Sequence, residues 1–127
     1  MTKTLNIKVK RVYALPEEND GLRILVDRLW PRGLKKADAH IDVWAKELAP
    51  SPRLRMWFGH EEPKFPEFRK RYLQELTDRH EEVQTVLMRA VFRPVTLLYA
   101  ARNPTCNHAL ILREYLLVQI NSLAISD

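Results

Sequence analysis

The sequence predicts a small α/β domain, with a mainly parallel sheet of three to four strands and helices packed on it. Three observations carry this reading. Leu22–Val26 and Val95–Ala101 are nearly continuous apolar runs, as in strands buried on both faces. Between them, residues 63–92 show helical rather than alternating periodicity. A strand, a turn and a last helix then close the chain, and this order of strands and helices suggests a small sheet with helices packed on it. The 127 residues suit one domain covering the whole chain, 1–127, large enough for a core of its own.

Element by element, Asn6 to Tyr13 alternates polar and apolar residues and predicts a half-buried strand. Pro16 to Gly21 is polar and broken by proline and glycine, hence a surface loop. The buried strand Leu22–Val26 runs into Asp27-Arg28-Leu29-Trp30-Pro31-Arg32-Gly33, where Pro31 and Gly33 end regular structure. Leu34–Ala39 reads as one helical turn, while His40–Leu48 stays ambiguous because Ile41, Val43 and Ala45 alternate as in a strand. Ser51 before Pro52 is an N-cap followed by proline at the first helical position, starting a short helix that ends near Phe58. Pro63–Arg79 places Phe65, Phe68, Tyr72 and Leu76 on one helical stripe. Glu81–Phe92 does the same with Val83, Val86, Leu87 and Ala90, and Arg93-Pro94 stops it. After Val95–Ala101 and a turn at Arg102–Thr105, a helix is expected from about Cys106 to Asn121, capped by Asn103 and burying Ala109, Leu112, Leu116 and Ile120.

Lys and Arg number 21 against 16 Asp and Glu, a formal net charge of +5. Residues 1–36 hold nine of the basic residues and four of the acids, so the whole surplus lies in the N-terminal third. There, Lys3, Lys8 and Lys10 fit the protected edge of a sheet. Arginines outnumber lysines 13 to 8, and the planar guanidinium fork suits phosphate or carboxylate. The one cysteine excludes a disulfide framework and a multi-cysteine zinc finger. The four histidines lack ligand spacing, so no metal is expected. No run is long enough to span a bilayer and no signal-peptide core is present, which points to a cytoplasmic protein without membrane contact. There is no Walker loop, dinucleotide glycine fingerprint, nucleophile elbow or HExxH, and the cofactor is left unassigned.

Two segments follow directly on buried strands, and in parallel sheets ligands settle beyond such strand ends. In the first, Arg28 and Arg32 are candidate anion ligands, Trp30 a candidate stacking partner, and Asp27 a candidate proton-transfer or orienting group. The alternative is a structural corner, with Asp27 paired to Arg28 or Arg23 and Trp30 plugging the core. In the second, Arg102 and Asn107 with the free N–H groups of a helix start form a candidate anion seat. Cys106 there is a weaker candidate nucleophile. Trp57 and His60 add a candidate wall and a candidate acid or base, against the alternative that Trp57 is core and His60 caps a helix end. The favoured function is binding of a small phosphorylated or anionic ligand, with nucleotide processing as its finer form. The alternative is a nucleic-acid-binding module that uses the basic N-terminal third, with Lys8, Lys10, Lys35 and Lys36 on phosphates. Neither catalysis nor oligomeric state is assigned.

These segments, with Trp44, Leu48-Ala49-Pro50-Ser51, Leu54-Arg55, Trp57-Phe58, His60, Phe68, Arg71-Tyr72, Glu75-Leu76 and Thr96 to Arg102, resemble the domain-of-unknown-function family 488 in its YeaO-like branch. The resemblance spans about residues 6–120 in order and implies a compact bacterial-type cytoplasmic α/β domain, without implying an activity. The wider family often has a Cys-His-Arg triplet where this chain has Asn107-His108-Ala109, so Cys106 does not take that cysteine's place.

Overall fold

The computed structural model describes residues 6–125. Among these, β1 (Ile7–Arg11), β2 (Leu22–Leu25), β3 (Val43–Trp44) and β4 (Val95–Tyr99) form one sheet in the order β1-β4-β2-β3, parallel at every pairing. The helices are α1 (Lys36–Ala39), α2 (Pro52–Phe58), α3 (Phe65–Thr77), α4 (His80–Phe92) and α5 (His108–Ile125). The ambiguous segment 40–48 is therefore a two-residue strand followed by a 3-10 turn at Lys46–Leu48.

Every residue of β2 and β4 is buried, because these strands are central and both sheet faces are covered. Ile24 and Val26, with Val95, Leu97 and Tyr99, face a core shared with Leu54, Phe68, Tyr72, Leu87, Leu112 and Leu116 of α2 to α5. The alternate residues Leu25 and Leu98, with Val12, face a smaller cluster closed by Trp30, Leu34, Ile41 and Trp44. The expected helical stripes on α3 and α4 are the buried ones, except that Phe65 at the start of α3 is only partly buried against the core.

β1 is an edge strand, as its spaced lysines imply, and its flank is closed by polar contacts. Lys8 donates to the Asn19 carbonyl, and Lys10 bridges Glu17 and Asp20 at 3.1 and 3.0 Å. Lys3 lies outside the described residues. Arg23 is not part of a solvated basic surface. It is buried in β2 and donates to the Asp20 carboxylate and to the carbonyls of His40 and Ala39. Burial pushes the Asp20 carboxyl up, but hydrogen bonds from the Glu17 N–H, Lys10 and Arg23 outweigh it and hold the group below its usual 3.8.

The start of α5 differs from the sequence expectation. Asn103 Oδ1 accepts from the backbone N–H groups of Thr105 and Cys106, at 2.9 and 3.0 Å, and so builds a turn rather than a helix cap. The helix begins two residues later, at His108, with Asn107 Oδ1 accepting from Leu110 N. Ile120 is half-buried beside the core rather than inside it.

Candidate functional site

The carboxyl ends of β1, β4 and β2 lie side by side, and the chain leaving each one lines a single cleft of about 830 Å³. The end of β1 brings Arg11 and Tyr13, the end of β2 brings Asp27, Arg28, Leu29 and Arg32, and the end of β4 brings Ala100 to Asn103. The last turn of α2 and its exit add Arg55, Phe58 and His60, and the approach to α5 adds Cys106, Asn107 and His108. The convergence expected of the two post-strand segments is thus present, at a volume ordinary for a small-molecule site.

Five guanidiniums line this cleft against one carboxylate, that of Asp27. Among the described residues none of the five has an acidic partner within 4 Å. Arg11 is held by the Ala101 carbonyl at 3.2 Å and lies over the Tyr13 ring, 4.8 Å from its centroid. Arg28 reaches the carbonyls of Pro50 and Ala49 only at 3.4 Å each. Arg32, Arg55 and Arg102 are exposed, and among the described residues their guanidiniums make no hydrogen bond to the protein. Guanidiniums that outnumber the acids of a concave site produce a positive field that an anion relieves.

Asp27 pairs with neither Arg28 nor Arg23. Its Oδ2 accepts from Ala100 N at 3.0 Å, which ties the end of β2 to the end of β4. Its Oδ1 is buried without a hydrogen-bond donor, 3.1 Å from His108 Nε2. That nitrogen also lies 3.0 Å from the Val26 carbonyl, and two acceptors so close require the proton on Nε2. The Tyr72 ring meets His108 edge-on at 6.1 Å, while its hydroxyl donates to the Leu48 carbonyl. Burial first, and then the charges of Glu75 and Asp27, raise the Tyr72 phenol well above its usual value.

His60 opens onto the cleft with a φ of +60°, directly after the Gly59 stop of α2, and its ring lies 6.2 Å from that of Phe58. The tryptophans are elsewhere. Trp30 packs edge-on against Trp44 at 5.4 Å and donates to the Leu34 carbonyl, covering the second face of the sheet. Trp57 packs against the main core with the Arg71 guanidinium and the Lys64 ammonium over its ring. Neither lines the cleft. Asn107 does, but its side chain is spent on the cap of α5 and on the Asn103 carbonyl. Among the described residues no three His, Cys, Asp or Glu side chains gather as a metal would require.

The sequence did not single out Arg11 or Arg55, and it placed His108 only beside Cys106, not against Asp27. Arg11 ends a strand, and Arg55 lies three residues before Phe58 on a two-turn helix, so both carried a positional signal. His108 carried none, because its partners Val26 and Asp27 are some eighty residues away.

Residues 6–125 match a family described as the inactive DUF488-N3 subclade. The chain belongs to this family. Relatives of this DUF488-N3 chain include Uncharacterized protein YeaO of Escherichia coli K12, 49% identical over 112 residues, 88% of this chain and 97% of the relative. Uncharacterized protein Mb3100c of Mycobacterium bovis and Uncharacterized protein Rv3073c of Mycobacterium tuberculosis are each 39% identical over 118 residues, 91% of this chain and 98% of the relative. No solved structure matches the chain. Among the described residues, no helix is long and apolar enough to cross a membrane.

Proposed function

We propose that the cleft binds a small phosphorylated ligand, in the cytoplasm, and holds it without turning it over. The observation that carries this reading is the set of five cleft arginines that no acid neutralises, placed at the carboxyl ends of three parallel strands. Exposed arginine pairs are ordinary, but five converging on one concavity leave a charge that a phosphate satisfies bidentately. Two observations favour holding over turnover. Asp27, the one carboxylate of the lining, already binds Ala100 N with one oxygen and buries the other. The family's description as an inactive subclade points the same way.

The test is the rise in melting temperature with inorganic phosphate, ribose 5-phosphate and AMP, for the wild type and for the double variant Arg32→Ala/Arg102→Ala. Stabilisation of the wild type that the variant loses, without a change in its own unliganded melting temperature, supports the cleft. A variant that responds like the wild type, or silence of the wild type at millimolar ligand, sinks it.

The nucleic-acid reading has less to draw on, since Lys8 and Lys10 are engaged by Asn19, Glu17 and Asp20. Oligonucleotide binding that survives Arg32→Ala/Arg102→Ala and disappears with Lys35→Ala/Lys36→Ala would restore it.

A further inference from the structure

Resting on the reading of the cleft as a phosphate site, we infer that its ligand is a diphosphate ester of an apolar or aromatic group, of the nucleoside diphosphate type, rather than a monophosphate or an inorganic anion. Two independent features of the lining lead there.

The first is charge. Arg11, Arg28, Arg32, Arg55 and Arg102 against Asp27 leave an excess of four positive charges, counting the histidines as neutral. A phosphate monoester carries about −1.5 to −2 at neutral pH, so it offsets at most half of this, whereas a second phosphoryl group brings the ligand to about −3. The guanidiniums also come from separate places. Arg11 leaves β1, Arg28 and Arg32 leave β2, Arg102 follows β4 and Arg55 stands on α2. One tetrahedral group offers three terminal oxygens to forks arriving from four segments, and two linked groups spread the acceptors over the distance between them.

The second is apolar surface turned toward the same space. Leu29 lines the cleft while 62% exposed, and Tyr13 while 42% exposed. Tyr13 is braced for contact, since its hydroxyl donates to the Arg32 carbonyl at 2.8 Å and the Arg11 guanidinium lies over its ring. Phe58, Ala49 and Pro50 also line the cleft but are themselves buried, so the open apolar surface is that of Leu29 and Tyr13. An inorganic anion leaves all of this surface in water, whereas an organic substituent buries it.

Equilibrium affinities of AMP, ADP and pyrophosphate, measured calorimetrically at one ionic strength, separate the two features. ADP is expected to bind at least tenfold more tightly than AMP, because of the second phosphoryl group. It is also expected to bind at least tenfold more tightly than pyrophosphate, because of the apolar wall. Leu29→Ser, at an exposed position that folding does not need, should weaken ADP at least threefold and leave pyrophosphate unchanged. AMP within threefold of ADP overturns the diphosphate, and pyrophosphate within threefold of ADP, or an unaltered Leu29→Ser, overturns the organic group. Either result leaves the phosphate cleft standing. Absence of binding by all three compounds removes the cleft reading and this inference together.

Discussion

The Oδ1 of Asp27 lies 3.1 Å from Nε2 of His108, joining the end of β2 to the first turn of α5 across most of the chain. Because Asp27 Oδ2 accepts from Ala100 N and His108 Nε2 also faces the Val26 carbonyl, this pair locks three segments that line the cleft. An amide in place of the carboxylate must set its NH₂ against either the Ala100 N–H or the imidazole N–H. Asp27→Asn is therefore expected to cost about 1–3 kcal/mol of stability in urea denaturation, more than an isosteric change usually does. In the background of His108→Ala the cost should shrink, because one of the two N–H groups that face the side chain is gone. Strict additivity would show that the pair does not interact.

Asn107 and the arginines are expected to separate cleanly. Asn107→Ala removes the cap of an eighteen-residue helix and should lower stability by about 1–2 kcal/mol. Its affinity for ADP, measured where the variant is folded, should stay within threefold of the wild type. A larger loss would show that the Asn107 amide touches the ligand.

Trp30 should behave as core. It closes the smaller cluster through its edge contact with Trp44 and its indole N–H bond to Leu34. Trp30→Ala is expected to cost about 3 kcal/mol, the low end for a large aromatic because Trp30 is only half-buried. Thermal denaturation gives the stability, and calorimetry at a temperature where the variant is folded should show ligand affinity intact. A stable variant with lost affinity would return Trp30 to the site.

The acid limb of the stability profile should report Asp20. Its carboxyl is held below 3.8 in the folded chain, despite burial, by the Glu17 N–H, Lys10 and Arg23. A group depressed on folding contributes stability that is complete above its unfolded value and is lost as pH falls through the folded one. Denaturation midpoints should therefore decline as pH drops below about 4. The carboxyl resonance of Asp20 should titrate below 3.8. Asp20→Asn should lower stability at neutral pH, because it leaves the buried Arg23 without its counter-charge, and should flatten that decline. A titration at or above 3.8 would contradict the network.

Much of the cleft's lining was legible because strand ends are. The apolar runs before Asp27 and before Arg102 marked two loops at the same edge of a parallel sheet, and Asp27, Arg28, Arg32, Arg102, Asn107 and His60 do line one cleft. The tryptophans were not separable from the site by composition, since stacking on a ligand and plugging a core call for the same side chain. Asn107 illustrates a different confusion. Capping and anion binding both use a polar side chain at a helix start, and only the exact first turn distinguishes them.

Local sequence thus determined what neighbours along the chain decide. The alternation in β1, the buried runs of β2 and β4, the Ser51-Pro52 start and Gly59 stop of α2, and the stripes of α3 and α4 depend on periodicity and capping within a few residues. Tertiary structure alone decided the order β1-β4-β2-β3, the burial of Arg23 against Asp20, the addition of Arg11 and Arg55 to the cleft, and the meeting of Asp27 with His108. The reason is physical. Where a guanidinium or a carboxylate ends up depends on which acceptors, donors and charges distant segments bring within a few ångströms, and that distance is set by packing rather than by spacing along the chain.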